Sequence, residues 1–104
     1  MRIVIWLILG LAASLPLNAQ TDAAAAAESQ RARQMMAAGR YADAVPVYEK
    51  LVQAMPANPG LRLNLAMALH LSGQDRKAIP HFEAVLKQQP NALPALMLLG
   101  ASYL

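Results

Sequence analysis

The chain has 104 residues, 57% apolar and 14% charged, with nine Lys and Arg against six Asp and Glu and a net charge of +3. That is enough for one small domain, too apolar to stay disordered, and rich in Ala, Leu and Met rather than β-branched or aromatic residues, which favours helix over a β-sandwich or barrel. Cysteine is absent, which excludes a disulfide framework, a thiolate metal site and a cysteine nucleophile; the small positive surplus gives no reason to expect nucleic acid or an anionic membrane surface as partner.

Met1-Arg2 gives the chain a positive start. An apolar run follows from Ile3 to Leu17, interrupted by Gly10, Ser14 and Pro16, and Leu17-Asn18-Ala19 offers a small residue before Gln20. This is the layout of a secretory signal peptide. A helix over residues 3–17 spans about 22 Å, short of the ~30 Å hydrocarbon core, and Pro16 would break it. Residues 1–19 are expected to be a signal peptide, 20–24 a linker and 25–104 an exported domain, periplasmic or secreted. Left uncleaved, residues 3–17 would anchor the chain in a membrane with Arg2 on the cytoplasmic side.

The remainder repeats every 34 residues. Gly39 and Gly73 stand at this interval, as do Ala44 and Ala78, Pro46 and Pro80, Glu49 and Glu83, Pro56 and Pro90, and the aromatic pair Tyr48 and Phe82. Ala32, Ala66 and Gly100 are three small residues in register, and Met35, Leu69 and Tyr103 three large ones. The units are 25–58, 59–92 and a truncated 93–104. Each reads as two helices. In the first unit they cover Ala25–Ala38 and Ala42–Met55. In the second they cover Leu61–Leu71 and Arg76–Gln88, with Gly39 and Gly73 suited to the left-handed residue beyond a helix end. Pro46 and Pro80 fall just past the first turn of their helices, which should start late or bend there. Residues 61–71 alternate with the strand period, yet they consist of Leu, Ala, Met, Asn, Arg and His with no β-branch, so helix is expected.

This helix–turn–helix period resembles the tetratricopeptide repeat family. Leu96, Leu99, Gly100 and Tyr103 match the opening of its signature, with Leu for the usual Trp. Leu65-Ala66, Leu69, Ala78, Phe82 and Pro90 carry the second unit, and Ala32, Met35, Ala44, Tyr48 and Pro56 the first, which departs at Arg31 where an apolar residue is usual. The resemblance implies an all-α, right-handed superhelical solenoid of about two and a half units. In it the small residues would let paired helices approach, and Tyr48 and Phe82 would fill the space between units. It also implies a concave face lined by the first helix of each unit, holding a protein or peptide. The residues at those places include Ala26, Ser29, Arg33 and Met36 in unit one, and Leu63, Met67, His70 and Leu71 in unit two. Leu63, Met67 and Leu71 form an apolar stripe at i, i+4 and i+8, which with Met36 and Met97 would make a soft, adaptable, methionine-containing surface. Either an apolar segment of a partner or further parts of the same chain would cover it. A carboxylate clamp is disfavoured: Asn64 matches one of its positions, but Ser29, Arg33, Pro94 and Leu98, at the others, mostly do not fit.

No residues group as a catalytic or cofactor site. His81-Phe82-Glu83 lacks the cysteines of a zinc deaminase site. His70 and His81 read as surface histidines without acidic neighbours, and Tyr41 and Tyr103 as packing residues. No phosphate loop or His-Glu-x-x-His run occurs. The acids fit helix starts and exposed faces. No cofactor or metal is expected. The sequence describes an exported, bacterial-type scaffold binding a protein or peptide partner, without nucleic acid; the alternatives are a docking segment of a larger exported enzyme or a small structural homo-oligomer. Leu104 falls inside the first helix of a third unit, which points to a longer solenoid or, in a complete chain, to self-association through residues 93–104.

Overall fold

The computed structural model describes the backbone of residues 17–104 and the side chains from residue 21 onward; most of the expected signal peptide lies outside the described residues. Five helices follow one another: α1 (Leu17–Ala37), α2 (Tyr41–Ala54), α3 (Pro59–Leu71), α4 (Asp75–Gln88) and α5 (Leu93–Tyr103). No strand occurs among the described residues. The alternating stretch 61–71 is helical, as its lack of β-branching requires. Helix α1 begins earlier than the sequence suggests. It runs unbroken through residues 20–24, assigned above to a linker. Ala23 to Ala27 are the strongest helix formers, and neither Gly nor Pro intervenes to stop them.

The turn after α1 and the turn after α3 are the same object one repeat apart. Gly39 and Gly73 have φ of +77° and +84°. The Arg40 N–H donates to the Met35 carbonyl at 2.8 Å and the Gly39 N–H to Met36 at 3.1 Å; Gln74 donates to Leu69 at 2.7 Å and Gly73 to His70 at 3.0 Å. This pair of bonds closes a helix C-terminus by satisfying carbonyls that have no partner within the helix. At the start of α3, the Asn58 side chain accepts from the Leu61 N–H at 3.1 Å and Pro59 occupies the first turn, where its missing N–H costs nothing. Asp43 and Asp75 lie in the first turns of α2 and α4, favourable against the positive end of the helix dipole.

Pro46 and Pro80 lie inside α2 and α4, which do not start late. Each ring removes the N–H that would bond four residues back, so the Ala42 and Arg76 carbonyls lose their helical donor.

Each helix packs on its neighbours in sequence, and α3 also touches α5. The result is an all-α helical repeat solenoid. Its core is built on small residues in register: Ala32, Ala44, Ala66 and Ala78 are all 0% exposed, with Tyr48 and Phe82 buried between helices. Arg31, the departure from the repeat pattern, is exposed and paired with Glu28 at 3.1 Å. Two expectations for α5 require correction. Gly100 does not mediate a close approach: it is exposed, and a Cβ there would meet nothing within 4 Å. Tyr103 is 64% exposed rather than packed, and its hydroxyl donates to Glu83 at 3.0 Å. At Gly100 nothing described lies within reach of an added Cβ, whereas Ala66, one repeat earlier, is fully buried; Tyr103 reaches α4 only through its hydroxyl.

Candidate functional site: the face of the first helices

Helices α1, α3 and α5 are the first helices of their units, and the expected groove residues lie on α1 and α3. Met36, Leu63 and Met67 are half-buried and pack against the core. Leu71, a turn beyond Met67, is 46% exposed. The stripe thus rises from the core toward solvent along α3. Arg33 is exposed on α1 and donates to the Gln30 side chain at 2.7 Å. Its charge partly opposes the effect of burial on Tyr48, whose phenol is pushed up by desolvation. Ala26 and Ser29 line a cleft of about 280 Å³ with Asp22, Ala25, Met55, Asn58 and Leu61, between α1 and the start of α3. The repeat register puts Ala26 and Ser29 on this face; the contribution of Met55 and Asn58, from the loop before α3, has no signal in the sequence.

His70 is no surface histidine. Its ring Nδ1 bonds the Asp75 carboxylate and lies 3.2 Å from Ser102 Oγ, so one side chain joins α3, α4 and α5. The bond from His70, with a second from Ser102, holds the Asp75 carboxyl below its ordinary value, against the opposing effect of desolvation. Ser102 is the buried polar residue of the core, 8% exposed, and this network satisfies it. Ser, His and Asp together invite comparison with a nucleophilic relay, but the geometry is different. In a relay the serine bonds the ring nitrogen opposite the one that meets the carboxylate; here both oxygens meet Nδ1. The arrangement is a polar tie between helices.

His81 is also half-buried. Its Nδ1 lies 3.2 Å from an Arg62 guanidinium nitrogen. Arginine only donates, so Nδ1 accepts and the ring is neutral with its proton on Nε2. Burial and then the Arg62 charge push its pKa down, with Glu49 opposing. Arg62 donates as well to the Pro56 carbonyl at 3.4 Å, linking the second helix of unit two to the loop that precedes α3. On the opposite side, α1 and α2 enclose a charged cleft of about 320 Å³ above Met35 and Val47, whose Arg40 and Asp43 pair at 2.9 Å. The local ion pairs on this side are exposed and contribute little to stability.

Among the described residues no group of three His, Asp or Glu is placed to hold a metal ion, and no helix is long and apolar enough to cross a membrane. What the first-helix face offers is shape: an apolar ridge between an arginine on α1 and a histidine tied to α5. Comparison with known families gives a match. The family model for the tetratricopeptide repeat aligns with residues 35–100, from the last turn of α1 through α2, α3 and α4 to Gly100 in α5. No curated protein matches the chain. Repeats of this kind mediate contacts between proteins. The alignment covers more than half of the sequence and takes in both glycine turns, the buried alanines Ala44, Ala66 and Ala78, and both buried aromatics; the chain belongs to the tetratricopeptide repeat family.

Proposed function

We propose that the chain is an exported scaffold whose first-helix face holds an apolar segment of a protein partner. The observation that carries this reading is the stripe Leu63, Met67 and Leu71 beside Met36, which ends on a Leu71 that remains 46% exposed. Apolar side chains that are neither sealed in the core nor dispersed on the surface mark a contact surface. Methionine makes such a surface adaptable, because its unbranched chain repacks easily. Arg33 and His70 stand at the two ends as polar limits. Export is supported by the sequence of residues 1–19, a positive start followed by a short apolar run and a small residue at Ala19.

The test uses short neutral peptides rich in Leu and Phe as probes, with binding followed by calorimetry. Leu71→Ser is the informative variant, because Leu71 is exposed and its loss leaves the core intact. Weakened binding with unchanged helicity supports the reading. Unchanged binding contradicts it. Met67→Ser, which also touches the core, should weaken binding and lower the melting temperature together. For export, the mass of the chain recovered from the cell decides: loss of residues 1–19 is expected, and an intact N-terminus on a cytoplasmic protein contradicts it.

A further inference from the structure

We infer that the groove selects its partner by charge as well as by apolarity. It takes an extended apolar segment with a basic residue at one end, against Asp22, and an acidic residue at the other, against Arg33. The inference rests on the groove reading proposed above and deepens it. Helix α1 holds four charged residues, Asp22, Glu28, Arg31 and Arg33, and helix periodicity sorts them onto two sides. Asp22, Ala26, Ser29 and Arg33 stand at i, i+4, i+7 and i+11, on the groove side. Glu28 and Arg31 pair with each other at 3.1 Å and line the charged cleft on the other flank. Asp22 and Arg33 belong to no ion pair among the described residues; Arg33 donates to the neutral Gln30 side chain.

The charges of α3 and of the start of α4 that lie nearest are engaged elsewhere. Arg62 turns to His81 and the Pro56 carbonyl, and Asp75 is held by His70. What remains is one carboxylate and one guanidinium at the two ends of an apolar wall. Asp22 lines the cleft of about 280 Å³ with Ala25, Ala26, Met55 and Leu61, and Arg33 stands eleven residues further along α1. Both walls come from first helices whose second helices, α2 and α4, are present, so this side is not an end of the repeat array. Eleven helical residues rise about 16 Å, the reach of about five residues of extended chain. Opposite charges that far apart in a partner meet both groups at once, with apolar side chains between them over the cleft and the ridge of Leu63 and Met67. Like charges at the two ends would leave one of them repelled.

Calorimetry of the full chain with end-capped peptides tests this. All share a Leu- and Phe-rich centre and differ in the two flanking residues: Lys and Glu, Lys and Lys, Glu and Glu, or Gln and Gln. At low salt the Lys and Glu peptide is expected to bind about tenfold tighter than the neutral one, roughly threefold for each exposed pair, and the advantage should shrink at high salt. Asp22→Asn should remove the share of the peptide's Lys alone and Arg33→Gln that of its Glu alone, read as a double-mutant cycle against the singly neutralised peptides. Both residues are exposed, so helicity should be unchanged in either variant. Equal binding of the neutral and the Lys and Glu peptides, or binding of either like-charged peptide as tight as that of Lys and Glu, overturns the inference and leaves an apolar groove indifferent to charge. Binding of none of the four overturns the groove reading and this inference with it.

Discussion

Gly39 and Gly73, one repeat apart, share a left-handed backbone, with φ of +77° and +84°. Neither would bring a Cβ into contact with anything, so the cost of a side chain is backbone strain alone, about 1 kcal/mol. Gly39→Ala and Gly73→Ala are expected to lower stability by that amount each, read from urea unfolding. Gly100→Ala should do the reverse. Its helix has ordinary φ, space is open, and alanine gains roughly 0.5–1 kcal/mol over glycine in a helix.

Ala66 and Ala78 are fully buried on helices that pack against each other. Replacing either by Leu overpacks the contact and is expected to cost about 1–3 kcal/mol. Phe82→Ala leaves a cavity instead and should cost about 3–5 kcal/mol. Thermal unfolding of the three variants checks the order, with Phe82→Ala the least stable.

The histidine and carboxylate networks give stability two separate pH windows. His81 has its pKa lowered in the fold by burial and Arg62. The unfolded chain therefore binds a proton first as pH falls below the ordinary histidine value of about 6.5, and stability drops until the lowered folded pKa is passed. His81→Gln should flatten this part of the profile. Asp75 has its pKa lowered by His70 and Ser102. Its contribution is present above the ordinary carboxylate pKa and is lost as pH falls through the lower folded value. Asp75→Asn should remove that acid limb, and Ser102→Ala should reduce it. Denaturation midpoints measured across pH separate the two.

These features differ in how they are written into the sequence. The turns at Gly39 and Gly73, the alanine core and the aromatic fillers Tyr48 and Phe82 are local or recur at a fixed interval, so the spacing of the residues alone exposes them. The His70 tie is not legible in that way. Its members come from three helices, and Ser102 stands in register with Ala68, so the repeat carries no trace of it. Gly100 misleads for the opposite reason. Its register promises a close contact, yet burial depends on the neighbour that covers a position and not on the residue alone. The early start of α1 belongs to the same kind: a run of alanines has no boundary signal, and helix simply extends through it.

Methyl-labelled methionine NMR tests the central claim most directly, because the methionines report from different faces. Met67 belongs to the apolar stripe and Met36 lies beside it, both half-buried against the core, while Met35 lines the charged cleft between α1 and α2. Titration with a neutral Leu- and Phe-rich peptide is expected to shift Met36 and Met67 and to leave Met35 unmoved. Shifts confined to Met35, or none at Met36 and Met67 under saturating peptide, would contradict a binding groove on the first helices.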